Sequence, residues 1–239
     1  MECTLEGGTD GASMVLFDPA ALPLDFDAKS EDDPVTQLEE LMRLGRLCWI
    51  NTEGDGHYTL GIYVRADLPD DLEPFAKQIE TYDCFHVPSG RLVFAGVEYV
   101  FQTDDSRLRK YPHMGEAIDV PAGTYPAVLF EFEYPTSFHK DLLKQRLSAA
   151  EFLAYRLMNT LAPIGCIALL VLLGSFWIMK WTLWAMMILP CGLGLIALPL
   201  LLSRLPIYRK GRAVYEGVRK EFPGYGVLLK TPLPAADQS

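Results

Sequence analysis

The sequence predicts an α+β fold: an antiparallel, β-rich domain built as a sandwich or partly open barrel with one or two helices, followed by a two-helix transmembrane hairpin. Three observations lead there. Residues 160–203 form an apolar block interrupted only by Lys180, with 20 residues before it and 23 after it that include no Asp, Glu, Lys, Arg or His. Upstream of that block the hydrophobic pattern alternates with a period of two between turn-forming clusters, as half-buried strands do. Charge is also divided: residues 1–138 hold 26 Asp and Glu against 9 Lys and Arg, a net of −17, whereas residues 139–239 hold 5 against 12, a net of +7. An acidic head on a basic, apolar tail is not one uniform globule.

Residues 1–33 are rich in Gly, Asp and Ala with a short apolar patch at 14–17, and are expected to form a loose lead-in. The acidic domain is placed at 34–135. It opens with a helix over 34–44, where Asp32 or Asp33 serves as the cap and Pro34 suits the first turn. Leu38, Leu41, Met42 and Leu44 form one face, and Gly45 ends it. From Arg46 the period changes to two. Residues 47–50 read as a strand, Glu53-Gly54-Asp55-Gly56 as a turn and 57–65 as the returning strand of a hairpin, with Tyr58, Leu60, Ile62 and Val64 on one face. Residues 69–81 read as a helix capped by Asp67, with Leu72, Phe75, Ala76 and Ile79 inward. Short strands follow at 84–87, 91–94, 98–102, 117–120 and 125–133. Val87-Pro88-Ser89-Gly90 recurs as Val120-Pro121-Ala122-Gly123. Pro fixes one turn dihedral and Gly permits a positive φ, so each copy suits a corner between strands.

Residues 136–159 carry the stripe Phe138, Leu142, Leu143, Leu147, Ala150, Leu153 and Leu157, the mark of an amphipathic helix leading into the apolar block. A bilayer core of about 30 Å takes roughly 20 helical residues, so 160–179 and 181–203 are read as two spans. Lys140, Lys144, Arg146 and Arg156 precede them and Arg204, Arg209, Lys210, Arg212, Arg219 and Lys220 follow. That bias predicts a multi-pass protein of the bacterial inner (plasma) membrane with both termini cytoplasmic. Trp177, Lys180, Trp181 and Trp184 would then lie at the outer interface. Arg204, Arg209, Lys210 and Arg212 would lie along the inner leaflet, at the start of a basic amphipathic tail over 204–239. Residues 224–230 read as a strand returning to the edge of the head sheet. A homo-oligomer contact would use Gly165, Ala168, Gly174 and the Gly192–Gly194 region. Residues 1–10 are acidic and polar, unlike a secretory signal.

Chemistry is sparsely signalled. The acidic head disfavours nucleic acid, which needs positive charge, and favours a cationic protein partner. Five cysteines at wide spacings with no CxxC pair suggest reduced thiols. Cys84 and His86 alternate on a predicted strand and His113 could join them, but three ligands without motif spacing fall short of a zinc site. No GxSxG, HExxH, P-loop or GxGxxG occurs. No catalytic residue, cofactor or metal is assigned, and an enzyme is not expected.

The run from Phe85-His86-Val87-Pro88-Ser89-Gly90-Arg91-Leu92 through Gly96-Val97-Glu98-Tyr99 to Val120-Pro121-Ala122-Gly123-Thr124-Tyr125 resembles a pattern in poorly characterised bacterial β-domain proteins of the toxin-immunity type. The likeness covers residues 46–135. It implies binding rather than catalysis: a non-enzymatic inner-membrane protein that neutralises a membrane-acting or pore-forming antibacterial toxin. The alternative is a membrane-tethered sensor or adaptor whose β domain binds a ligand or a signalling protein.

Overall fold

The computed structural model describes residues 1–29, 34–178, 201 and 203–233. The elements run β1 (Glu2–Thr9), β2 (Ser13–Phe17), α1 (Phe26–Lys29), α2 (Pro34–Arg43), β3 (Leu47–Asn51), β4 (Gly56–Val64), β5 (Ala76–Val87), β6 (Arg91–Gly96) and α3 (Ser106–Lys110). They continue as β7 (Gly115–Asp119), β8 (Gly123–Phe132), α4 (Phe138–Arg146), α5 (Ala149–Ile178), α6 (Pro206–Glu221) and β9 (Tyr225–Leu229). Two compact units result, residues 1–134 with 219–239, and residues 135–218.

The first unit is built on two sheets, one of five strands in the order β1-β4-β9-β8-β5 and one of four in the order β3-β2-β6-β7. Alternation along each strand sends one set of side chains between the sheets. Leu60, Ile62 and Val64 of β4 meet Met14 and Leu16 of β2, Phe85 of β5 and Phe94 of β6 there. The other face of the four-stranded sheet carries Val15, Phe17, Leu47 and Val93, which α2 covers with Leu38 and Leu41. Near β1 the two sheets approach closely: the Glu6 amide donates to the Glu116 carboxylate at 2.9 Å. A Cβ on Gly7 would sit 2.7 Å from the Met14 methyl and 3.2 Å from the Phe94 carbonyl, so a larger residue would displace the Met14 side chain and crowd the β6 backbone, and glycine lets the strand pass without either shift. This is a sandwich drawn together at one side.

Several elements stand where the sequence places them, including α2, β3, β4, β6, β7 and β8. Others differ for identifiable reasons. The expected lead-in forms β1 and β2, and the apolar patch Met14–Phe17 is wholly buried as the centre of the second sheet. Strands β3 and β4 are not a hairpin: β3 pairs with β2 and β4 with β1, so the turn between them passes from one sheet to the other. No helix covers 69–81. Pro74 lacks the amide a helix would need, and a 3₁₀ turn at Glu73–Phe75 leads directly into β5. Residues 97–99 form a 3₁₀ turn instead of a strand because Glu98 reaches back to the β1–β2 corner, accepting from the Asp10 amide at 2.7 Å and the Thr9 hydroxyl at 3.1 Å. The expected edge strand at 224–230 is β9, and it lies between β4 and β8, parallel to the first and antiparallel to the second. The sheet is therefore mixed. The expected caps Asp32 and Asp33 lie outside the described residues.

In the second unit the predicted helix over 136–159 divides. Leu147 is extended and α4 ends before it, and Ser148 starts α5 with a reciprocal cap. The Ser148 amide and hydroxyl both donate to Glu151, at 2.9 and 2.8 Å, and the Glu151 amide points back to the Ser148 oxygen at 3.4 Å. The first turns of α5 pack on α6. Lys210 meets Glu151 at 2.7 Å, Tyr155 stacks on Tyr208, and a Cβ on Gly211 would come within 3.2 Å of Tyr155 Cβ, so glycine eases the helix contact.

The transmembrane hairpin is the part of the predicted fold that is overturned. Among the described residues no helix is long and apolar enough to cross a membrane. Where the side chains of α5 are described, the helix carries Glu151 and Arg156 and engages α6 through charge and aromatic rings, so the long apolar stripe misled by running through a polar helix start. Neither the multi-pass inner-membrane location nor the two-span reading is supported. Lys180, Trp181, Trp184 and nearly all of the second span lie outside the described residues, as does the Gly192–Gly194 contact.

Glu151 gives this unit a measurable pH signature. The Lys210 ammonium, followed by the Ser148 amide and hydroxyl, holds its carboxyl down from 4.5 to about 2. A depressed carboxylate contributes stability above its unfolded pKa and loses it as the pH falls through the folded one. The Glu151 carboxyl carbon is therefore expected to titrate near 2 by NMR in the intact protein, and to move up toward 4.5 in Lys210→Met.

Candidate functional site

Gly45 begins the construction of a cleft in the first unit. It follows α2 at a φ of +65°, and its amide donates to the Met42 carbonyl while the Arg46 amide donates to Leu41, at 3.0 and 2.9 Å. These are the two bonds of a Schellman cap. A Cβ on Gly45 would lie 1.8 Å from the Cys84 carbonyl, so only glycine lets the helix end abut β5. Gly45 also accepts from the His86 amide at 2.8 Å. The consequence is positional: Arg46, the next residue, lines the same cleft as His86.

The two VPxG corners supply the other side. Gly90 has a φ of +78° and its carbonyl accepts from the Val120 amide at 2.7 Å, so the turns after β5 and β7 are bonded to each other. The Tyr125 hydroxyl braces the second turn by donating to the Pro121 carbonyl. Asp18, fully buried, braces the first. It accepts from the Ser89 amide at 2.8 Å, the Ser89 hydroxyl at 2.6 Å and the Ala20 amide at 2.9 Å. Between these supports lies an open cleft of about 570 Å³ whose polar side chains are Arg46, His86 and Thr124. His86 Nδ1 is 3.2 Å from the Thr124 hydroxyl. Burial, and then the Arg46 charge, hold the imidazole below its ordinary pKa. Arg46 has no carboxylate partner among the described residues.

A second cavity, of about 480 Å³, holds His57, His113, Tyr99 and Tyr111 near Asp10. The two imidazoles are 5.7 Å apart between ring centroids, and the His57 carbonyl accepts from Arg219 Nη2 at 2.7 Å. The possible ligands Cys84, His86 and His113 do not converge. Cys84 lines a separate groove beside Met42–Gly45, and His113 faces His57. Among the described residues no group of three or more His, Cys, Asp or Glu could hold a metal ion.

The residues predicted for a membrane interface take other positions. Trp177 falls within α5, and Arg204 lies in the turn before α6, its amide donating to Leu201 at 3.2 Å. Arg209, Lys210 and Arg212 share α6, where Lys210 is committed to Glu151 and Arg212 to Glu216 at 2.8 Å. Sequence reasoning singled out His86 and both VPxG turns, but missed Arg46, Thr124 and Asp18. The repeated turn was the available signal; the helix-ending Gly45 beside Arg46 was the other half of it.

Asp18 carries the corner. Ser89 and Ala20 are themselves exposed, so removing the carboxylate forfeits three hydrogen bonds to a charged group, each worth about 1.5–3 kcal/mol before water replaces part of them. Asp18→Ala is expected to lower the unfolding free energy in urea by roughly 2–4 kcal/mol, and an unchanged midpoint would refute that role.

No family model matches the chain, and no curated protein does. Among solved structures the chain is similar to Crocagin biosynthetic gene J, with 18% identity and a TM-score of 0.41 over 59% of this chain and 80% of that one. A likeness of that strength carries no argument about fold or function.

Proposed function

We propose that the chain is a non-enzymatic binding protein of the toxin-immunity kind, whose acidic two-sheet unit takes an extended basic segment of a protein toxin and neutralises it. The observation that carries this reading is the open outer edge of β5. Among the described residues the strand pairs with no strand but β8; Gly45 meets it at Cys84 and His86, while its residues Lys77 to Thr81 are exposed. Glu80 and Asp83 lie on it and Glu131 and Glu133 beside it; of the cations, Lys77 is paired with Glu133 and Arg43 lines the groove next to Glu80 and Asp83, so acids outnumber bases there. Unused backbone groups on a sheet edge recruit an extended segment, and the side chains around it select the partner. Here the charge selects a basic one and speeds its encounter. The bulges at Gln78/Glu80 and Tyr82/Phe85 disfavour pairing of the edge with another copy of itself.

A ligand-binding adaptor is the second reading, favoured by the cleft at Arg46 and His86.

Co-expression with the product of the adjacent toxin gene tests the first reading. Colony counts are expected to return to those of a toxin-free control. Reversing Glu80, Glu131 and Glu133 to Lys is expected to weaken the complex about tenfold or more and to flatten its salt dependence. If the chain neither protects against nor binds any neighbouring toxin, the reading is wrong.

A further inference from the structure

The cleft between the VPxG corners is a cationic site within a strongly acidic unit. Residues 1–138 hold 26 acids to 9 bases, yet no Asp or Glu lines this cleft. Asp18 lies beneath it with its carboxylate oxygens taken up by Ser89 and Ala20. Arg46 is placed there by a helix cap that tolerates no other residue at position 45, and it has no ion-pair partner among the described residues. A guanidinium held on a rigid base with an open fork is the side chain suited to a planar oxyanion.

We propose that this cleft binds a small molecule carrying one carboxylate on an apolar body, the carboxylate held by Arg46 and Thr124 and the body lying against Ala20, Pro88 and Ala122. The walls support this division. Arg46, His86 and Thr124 are its polar groups, while Ala20, Pro88 and Ala122 offer exposed apolar surface and Leu22 and Val87 are buried behind them. A volume of about 570 Å³ falls within the range of small-molecule sites, roughly 300–1,000 Å³, and exceeds what a lone ion would fill. With the Nδ1–H tautomer of His86, the Thr124 oxygen accepts from the ring and its own proton turns toward the ligand. One fixed positive charge matches a monoanion better than a phosphate dianion. The depressed His86 pKa agrees, since the imidazole is then neutral near pH 7. The proposal is independent of toxin binding, which uses the β5 edge.

Hexanoate titrated into the full-length ¹⁵N-labelled protein at constant ionic strength is the test. Saturable shifts are expected at the amides of His86, Gly123 and Thr124 and at Arg46 Nε. Hexanamide should produce none, and inorganic phosphate at most weaker ones. Arg46→Gln should weaken hexanoate at least about tenfold, as loss of a charged hydrogen-bond donor does, with Arg46→Lys intermediate. Arg46 is partly exposed, so both variants are expected to melt with the parent, and Thr124→Val gives an independent second variant. Shifts that survive Arg46→Gln, equal binding of hexanamide, tighter binding of phosphate, or no shift at all would each overturn the proposal.

Discussion

Strand β9 lies between β4 and β8, hydrogen-bonded along both edges, from Leu60↔Tyr225 to Val64↔Leu229 on one side and from Glu131↔Tyr225 to Ala127↔Leu229 on the other. Val227 and Leu229 are fully buried and Tyr225 nearly so. At roughly 2 kcal/mol for each large apolar side chain removed from water, these three contribute about 6 kcal/mol, comparable with the whole stability of a typical domain, about 5–15 kcal/mol. Without β9 the inner edges of β4 and β8 would present unpaired backbone groups in a dry interior, which is more costly than losing the side chains alone. The five-stranded sheet therefore exists only when the chain end has returned to it. Residues 135–218 become an insertion between two neighbouring strands, not a tail.

That dependence also fixes the cleft. β8 carries Thr124 at one end and is held by β9 along the other, while Leu233, just past β9, donates its amide to the Thr124 carbonyl at 2.8 Å. The opposite wall depends on Gly45, whose missing Cβ allows α2 to end against β5. Two distant contacts thus bring Arg46, His86 and Thr124 together, none of them neighbours in sequence. The acidic exterior and the cleft whose one charged lining residue is Arg46 then give the unit two chemically opposite faces, one suited to a basic chain and one to a small acid.

What could be read from the sequence was what local chemistry decides. Gly45 as a helix stop, the stripe Leu38–Leu41 and the alternation Leu60–Ile62–Val64 all follow from short-range rules, and each stands in the structure. The failures are long-range. Gly7 and Gly8 make β1 look like a loop, although the strand passes close to Phe94 at Gly7 and to Met114 and His57 at Gly8. Residues 47–65 look like a hairpin because nothing in them says that β2 is the better partner for β3. The cap Ser148-Glu151 was legible but outweighed by an apolar stripe that continues across it, and the same stripe suggested a membrane passage that no described helix supports. Of the cleft, His86 and the paired turns were visible. Arg46 was not, because its role arises only once the end of α2 meets β5.

Amide hydrogen exchange in the intact protein tests the central place of β9 most directly. Val227 and Leu229 are expected to exchange as slowly as Leu60 and Leu129, at the rate of global unfolding, because all four lie in the inner strands of one cooperative sheet. If Val227 and Leu229 instead exchange within minutes while β4 and β8 stay protected, β9 is a peripheral strand and the account of the sheet fails.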